Sequence, residues 1–136
     1  MPVLAAESAP KRIFLSRKGA TNRNVVNEEE VMALLEPHGF VAVRGDRLCL
    51  ADQISIFRGA SHIIAPHGGA LTNLMHARGG HLLELFQADH GVRPEFFQLA
   101  TINGLSYRFL LCPNVAGAND IQVDVERLKE WLAMTL

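Results

Sequence analysis

The segment APHGGALTN, residues 65–73, contains the residue types best suited to bind an anion. Gly68 and Gly69 carry no Cβ atom, so backbone amides can approach a ligand closely there and φ can become positive. A helix beginning near Ala70 would point free N–H groups and the positive end of its dipole at the same spot. His67 can donate a hydrogen bond from its ring, and the whole pattern predicts a phosphate-binding loop. The other polar residues of the predicted first helical turn are Thr72 and Asn73.

The alternative interpretation of this segment is a tight turn whose glycines serve packing alone. Its context favours a ligand site, because an apolar run at 62–65 predicts a buried strand before the turn and residues 70–77 predict a short helix after it. A glycine-containing turn between a strand and a helix is the setting in which phosphate-binding loops occur. We therefore prefer the phosphate-binding interpretation.

A basic stretch, SRKGATNRNVVNEEE, follows the first predicted strand and offers a second set of anion-binding groups. Arginine can bind a phosphate through two parallel N–H bonds. We expect Arg17 and Arg23 to act on a ligand, because their loop is predicted to face the HGG turn. For Lys18 a solvated loop position is the preferred interpretation.

Glu84 lies within the strand-like segment HLLELF, where a carboxylate is costly unless it has a partner. At a strand end facing a cleft it would accept hydrogen bonds from ribose hydroxyls; the alternative is an ion pair with a neighbouring strand or helix residue. Gln53, near a helix start, is a weaker candidate for holding backbone groups or a ligand. The remaining histidines lack metal-ligand spacing and are interpreted as surface or satisfied residues: His38, His62, His76, His81 and His90.

The bulk properties are those of one soluble globular domain, with 136 residues, 49% of them apolar and 20% charged. A formal net charge of -1 at pH 7 gives no global basic field, so nucleic acid is not an expected partner. No apolar run reaches the roughly 18 residues that span a bilayer. Residues 1–10 do not resemble a signal peptide, and we interpret them as a tail or truncated linker before a single domain at 11–136. Cys49 and Cys112 predict buried free thiols in a reducing, cytoplasmic compartment.

Short β-rich runs alternate with amphipathic segments, which predicts a five-stranded parallel α/β sheet with helices on both faces. Asn27, followed three residues later by Glu30, predicts a capping box on the first helix. Residues 113–119 are expected to form a loop. The predicted strands are Arg12–Ser16, Phe40–Val43, His62–Ala65, His81–Phe86 and Ser106–Leu111. The predicted helices are Asn27–Pro37, Asp52–Ala60, Ala70–Ala77, Pro94–Thr101 and Asp124–Met134.

The third strand is predicted to lie beside the first, on the side away from the second, which gives the strand order 2-1-3-4-5. The crossover direction then reverses between the first and third strands. Ligands of open α/β sheets bind at such a reversal, outside the carboxyl ends of the strands. Residues 17–23 and 66–73 are expected to meet there, so the two candidate anion-binding segments belong to one site.

The order of these motifs resembles the carboxyl-terminal part of family 61 glycosyltransferases, formerly known as a capsular-polysaccharide-associated domain. The resemblance extends over about residues 12–111. It rests on Arg17, NR ending at Arg23, NEEE from Asn27, GF at residues 39–40, ADQISIFRGA from Ala51, IIAPHGGALTNLMHA from Ile63, and HLLEL ending at Leu85.

This resemblance implies a Rossmann-like domain that forms the donor half of a two-domain GT-B enzyme. It implies inverting transfer from a nucleotide-diphosphate sugar, commonly UDP-linked, to a glycan or other hydroxyl acceptor, with no cofactor and no DXD-bound metal. Arg17 and Arg23 would neutralise the leaving group, and Glu84 would lie near the ribose. The diphosphate would be held by His67 and by the amides of Gly68, Gly69, Ala70 and Leu71.

A GT-B enzyme needs a further Rossmann-like domain ahead of the donor half, and that domain normally supplies the acceptor site and the general base. We expect it on a longer chain or on a partner chain, so this chain is expected to be inactive alone. The main alternative is a non-catalytic module that binds a nucleotide or a nucleotide sugar, or a remnant that lacks the acceptor domain. A hydrolase is disfavoured because no GxSxG motif is present, and a dinucleotide oxidoreductase because GxGxxG does not follow the first strand.

Overall fold

A computed structural model describes residues 9–20, 23–115 and 120–136. Its centre is a five-stranded sheet in the order β2-β1-β3-β4-β5, and every neighbouring pair is parallel. The fold class and the strand order are therefore confirmed. The strands are β1 Arg12–Leu15, β2 Phe40–Val43, β3 His62–Pro66, β4 Gly80–Gln87 and β5 Leu105–Cys112. The helices are α1 Glu28–Leu35, α2 Leu50–Gly59, α3 Glu95–Ile102 and α4 Val125–Thr135. Short 3-10 helices occupy Glu36–His38, Gly45–Arg47 and Gly69–His76.

Side-chain alternation along the strands divides the apolar core between the two faces of the sheet. Phe14 of β1 packs on one face with residues of α1 and α4, whereas Ile13 and Leu15 pack on the other with residues of α2 and the 69–76 helix. The central strand β3 is buried along its whole length. The helices thus cover both faces, and ligand access is left at the carboxyl edge of the strands.

The segment after the HGG turn forms a 3-10 helix at Gly69–His76, where an α-helix was predicted. In a 3-10 helix each amide bonds to the carbonyl three residues earlier, one residue sooner than in an α-helix. The N–H of Leu71 accordingly donates to the carbonyl of Gly68 at 3.1 Å. An α-helix would have left that amide free for a ligand.

The predicted capping box at Asn27 is wrong. Asn27 stands at the N-cap position of α1, but its side chain makes no hydrogen bond to the helix backbone. Its Oδ1 accepts from the N–H of Val123 at 2.9 Å, while its Nδ2 donates to the Val123 carbonyl at 2.8 Å and to Glu30 at 2.9 Å. An amide side chain can pair with the N–H and the C=O of one residue at the same time, and here this long-range pairing replaces the local cap.

We expect Asn27→Ala to lower the free energy of unfolding by about 2 kcal/mol, because it leaves both polar groups of Val123 without their partner. Urea denaturation followed by circular dichroism measures this loss. Asn103→Ala is the matched control, since the Asn103 side chain donates a single bond, to the Leu99 carbonyl at 3.1 Å. Equal losses in the two variants would show that the Asn27–Val123 pairing adds nothing.

The remaining expectations on organisation have mixed outcomes. Both cysteines are free, but only Cys112 is buried, and burial raises the pKa of its thiol to about 12. Cys49 is partly exposed because it precedes α2 at the surface. Residues 1–8 of the proposed tail at 1–10, and residues 116–119 of the proposed loop at 113–119, lie outside the described ranges. Within those ranges no helix combines the length and apolar character needed to cross a bilayer.

Candidate functional site

Arg17 leaves the carboxyl end of β1, where several hydrogen bonds set the direction of the chain. The N–H of Ser16 donates to the Val43 carbonyl at 2.9 Å, which continues the pairing with β2. The Ser16 hydroxyl donates to the carboxylate of Glu28 at 2.8 and 2.9 Å, and accepts from the N–H of Lys18 at 3.1 Å. These bonds anchor the first turn of α1 to the strand end and aim Arg17 toward the HGG turn.

Arg23 is held in the left-handed backbone region with φ of 58°. That conformation costs a non-glycine residue about 1–2 kcal/mol and must be maintained by its surroundings. The following residue provides the support, since the N–H of Asn24 donates to Asp120 at 2.9 Å and its carbonyl accepts from Ile121 at 2.9 Å. Strain of this kind at a cationic side chain motivates a functional interpretation.

The guanidinium groups of Arg17 and Arg23 converge on Gly68. An ideal Cβ atom on Gly68 would lie 3.7 Å from Nη1 of Arg17 and 4.0 Å from Nη1 of Arg23. Burial, and then the positive charge of Arg23, lowers the pKa of Arg17 from its usual value. Two cations brought together repel each other, and a bound anion would relieve that repulsion.

Glycine at position 68 allows the two guanidinium groups to lie close to the backbone, and is not needed for an unusual backbone conformation. Its φ of 167° is extended backbone, and neither Gly68 nor Gly69 is in the left-handed region. The left-handed conformation that glycine permits is therefore not used at either residue. A side chain at Gly68 would occupy the space next to the two guanidinium groups. A Cβ atom at Gly69 would meet no protein atom within 4 Å.

His67 is fixed by a buried network at the carboxyl edge of β3. Its Nδ1 lies 2.7 Å from Oε2 of Glu84, and the Tyr107 hydroxyl donates to Oε1 of Glu84 at 2.6 Å. The imidazole stacks on Phe86 with ring centroids 5.1 Å apart and contacts Phe96 at 5.3 Å. The side chain of His67 remains 23% exposed, so one edge of the ring stays open to solvent.

Glu84 is 0% exposed, and both of its oxygens are bonded to protein groups. Burial raises the pKa of this carboxyl, while the bonds from Tyr107 and His67 act in the opposite direction. Glu84 is thus paired within the protein with Tyr107 and with His67, which directly follows β3, and does not face the cleft. The ribose contact does not fit this conformation, because no oxygen of Glu84 reaches the surface.

Two pockets flank the turn, and Pro66 lines both of them. The first, which we call the His67 pocket, has a volume of about 250 Å³ and is lined by Arg23, His67, Gln87, His90 and Arg93 among others. The second, the Arg17 pocket, has a volume of about 270 Å³ and is lined by Ser16, Arg17, Arg44, Asp46 and Gly68 among others. The expected meeting of residues 17–23 and 66–73 at the reversal point is thus what the described residues show.

The other candidates of the turn have different surroundings. Leu71 is fully buried in the core, and its amide N–H donates to the carbonyl of Gly68. The ligand contact expected of this amide therefore does not fit this conformation. Asn73 donates to Gln53 at 2.9 Å and to the Ala70 carbonyl at 3.2 Å. Gln53 in turn holds backbone groups, donating to Gly45 at 3.0 Å and to Leu48 at 3.1 Å. The candidates left at the surface of the turn are Gly69, Ala70 and Thr72.

Sequence reasoning missed several residues that line the pockets. Arg93 and His90 follow β4, and the rule that ligands bind beyond the carboxyl ends of strands was a signal that could have indicated them. Arg44 follows β2 in the same way and forms an ion pair with Asp46 at 2.8 Å. Tyr107 carried no local signal, because its contact with Glu84 depends on the register of β4 and β5.

Comparison with known protein families identifies a family model that this chain matches. The family model described as Glycosyltransferase 61 matches residues 2–82, more than half of the chain. A comparison with curated proteins found no match. The matched segment contains Arg17, Arg23 and the whole HGG turn, whereas Glu84, Arg93 and Tyr107 lie beyond it.

Proposed function

We propose that this chain, which belongs to glycosyltransferase family 61, binds the diphosphate of a nucleotide sugar at Arg17, Arg23 and His67. It acts as the donor half of an inverting, metal-independent enzyme of polysaccharide or glycan synthesis. The observation that carries this proposal is the convergence of two guanidiniums on Gly68 at the carboxyl edge of the sheet. Such a cluster matches the charge and the shape of a diphosphate.

The two pockets support a ligand longer than a phosphate. Each is smaller than the roughly 300–1,000 Å³ of a typical small-molecule site, with volumes of about 250 and 270 Å³. A ligand that fills both must cross the turn at Pro66, which lines each pocket, and its middle would pass the guanidiniums near Gly68. A nucleotide sugar has this form, since its diphosphate joins a nucleoside to a sugar. UDP is the expected nucleotide.

In the proposed reaction the acceptor hydroxyl attacks the anomeric carbon as the bond to the diphosphate breaks. Negative charge then develops on the leaving phosphate, where Arg17, Arg23 and His67 stabilise it electrostatically. Fixed cations do this without reorganisation, and so can replace a metal ion in that role. The acceptor proton passes to a general base, which we assign to the companion domain expected of a GT-B enzyme.

Arg17→Ala is expected to weaken UDP binding by about tenfold or more, because a charge-assisted hydrogen bond contributes about 1.5–3 kcal/mol. Saturation-transfer NMR identifies the bound nucleotide among UDP, GDP and their sugars, and isothermal titration calorimetry then measures its affinity. Lys18→Ala is the matched control, since it removes the same charge from an exposed neighbouring residue. Unchanged affinity in Arg17→Ala and His67→Ala would reject the assigned site.

Turnover separates the enzyme from a non-catalytic binding module, the alternative left open by the sequence. Wild-type protein, together with its companion domain, is expected to release UDP and to form a product of inverted anomeric configuration, detected by NMR. The rate is expected to be unchanged by EDTA. Binding without turnover in the complete protein would favour the module, and loss of activity in EDTA would contradict the metal-independent mechanism. We place the reaction in the cytoplasm, where free thiols persist.

A further inference from the structure

We propose that Glu84 and Tyr107 are positioning residues that present the Nε2–H group of His67 to the diphosphate. The inference rests on the proposed function for its ligand. The positioning role itself is inferred from geometry, namely a series of hydrogen bonds that connects three neighbouring strands. This series joins the end of β3, the middle of β4 and β5 through His67, Glu84 and Tyr107.

Glu84 is a fully buried carboxyl group, and its burial needs a physical explanation. A carboxylate removed from water is costly unless its oxygens are hydrogen-bonded. The bonds of 2.7 Å to His67 and 2.6 Å from Tyr107 have the lengths of charge-assisted hydrogen bonds. Glu84 therefore has one oxygen for each partner, and its orientation is determined from both sides.

The same geometry determines which nitrogen of His67 is available to a ligand. An ionised Glu84 only accepts hydrogen bonds, so Nδ1 must carry a proton. Stacking against Phe86 and contact with Phe96 restrain rotation of the ring. The ring lines the His67 pocket, so the opposite nitrogen, Nε2, is the one that can meet a ligand. With Nδ1–H bonded to a carboxylate, a proton on Nε2 makes the ring an imidazolium, whose Nε2–H donates a hydrogen bond to a phosphate oxygen.

Tyr107 completes the network from β5. Its hydroxyl donates to Oε1 of Glu84, and burial, followed by the nearby carboxylate, raises the pKa of the phenol. The phenol thus remains a donor at neutral pH. The hydrogen bond from Tyr107 to Oε1 favours the ionised form of Glu84. That form accepts a hydrogen bond from Nδ1–H of His67. The three residues act in series, and only His67 touches the ligand.

The first test needs no ligand. In protein with ¹⁵N-labelled histidine, the ring nitrogens of His67 are assigned by the signals lost in His67→Gln. Two-bond ¹H–¹⁵N spectra at neutral pH are expected to show a protonated Nδ1 in the wild type. In Glu84→Leu, which removes the acceptor at similar volume, Nδ1 is expected to lose its proton. An unprotonated Nδ1 in the wild type, or an unchanged Nδ1 in a folded Glu84→Leu, overturns the proposal.

The second test measures the affinity for inorganic pyrophosphate as a diphosphate probe. Glu84→Leu is expected to weaken binding about tenfold and Tyr107→Phe about threefold, because each removes a hydrogen bond that acts on His67. Leu83→Ala is the control for a general loss of packing, since Leu83 is buried on the same strand but packs on the other face. An equal loss in Leu83→Ala, or a normal affinity in Tyr107→Phe, contradicts the positioning role.

The two tests separate this inference from the proposed function. If wild-type protein does not bind pyrophosphate or UDP while Nδ1 of His67 responds to Glu84→Leu, the hydrogen-bond chain stands and the assigned ligand is wrong. If pyrophosphate binds and requires Arg17 but Nδ1 does not respond, the ligand stands and the positioning role is wrong. Tyr107→Phe provides the answer if Glu84→Leu does not fold, since it retains the ring that packs against Phe97 at 5.2 Å.

Discussion

Replacing Gly68 with aspartate is expected to weaken the affinity for UDP by about 100-fold or more without unfolding the protein. The new Cβ atom would lie 3.7 Å from Nη1 of Arg17 and 4.0 Å from Nη1 of Arg23, which are ordinary contact distances. The extended backbone at φ of 167° accepts a side chain. The carboxylate would then pair with the two guanidiniums and occupy the place of the diphosphate.

The same substitution is expected to leave stability unchanged or to raise it by up to about 1 kcal/mol, the usual range for a partly exposed ion pair. Calorimetric titration with UDP and thermal denaturation measure the two effects on one preparation. Loss of affinity without loss of stability is the result expected for this site, since a substitution that disrupts the fold would lower both.

Gly69→Asp is the control for the added negative charge. It places the carboxylate one residue further along, where a Cβ atom would meet no protein atom within 4 Å. We expect less than about a tenfold loss of affinity there, because the charge cannot contact both arginines at once. Equal losses at Gly68 and Gly69 would mean that overall charge repulsion, and not occupation of the arginine cluster, explains the effect.

The largest expected change in stability is that of Gly80→Ala, at about 2–5 kcal/mol. Gly80 begins β4 with φ of 107°, and an added Cβ atom would lie 2.5 Å from the carbonyl oxygen of Ser61. Strained backbone in an L-residue costs about 1–2 kcal/mol, and forcing atoms apart in a packed region typically costs a further 1–3 kcal/mol. The contact involves main chain, so no side-chain rotation can relieve it.

Urea denaturation measures this loss, with Gly104→Ala as the matched variant. Gly104 precedes β5 with φ of 77°, but a Cβ atom there would meet nothing within 4 Å. That variant carries the backbone strain without the collision and is expected to lose about 1–2 kcal/mol. If the two variants lose equal stability, the close approach of β4 to Ser61 is not what requires glycine at position 80.

Local sequence patterns predicted the scaffold well because they reflect local physics. The β-rich runs and the amphipathic segments between them predicted the five strands, their parallel order and the edge at which the site lies. The HGG turn and the basic stretch containing Arg17 and Arg23 were recognised by residue type alone. These features depend on neighbours in the chain and on rules of strand connection that hold for most α/β sheets.

The errors occur where distant segments compete with local preferences. Asn27 has the residue type and spacing of a helix cap, but its side chain pairs with Val123, which lies 96 residues away. The helix after the HGG turn is wound as a 3-10 helix, so the Leu71 amide is bonded to Gly68 and is not presented to a ligand. The pairing of Asn27 cannot be read from a short window of sequence, since its partner is distant in the chain.

The sequence by itself determined the chemistry of the turn, namely two glycines without a Cβ atom and an imidazole. It also determined that two arginines lie on a loop that the strand order places opposite this turn. Only the tertiary structure decided the surroundings of Glu84. A carboxylate on a strand can face a ligand or the core, and the sequence is the same in both cases. The pairing of β4 with β3 and β5 places its two oxygens between His67 and Tyr107. The physical reason is that strand register, a long-range property, determines which side chains share a buried carboxylate.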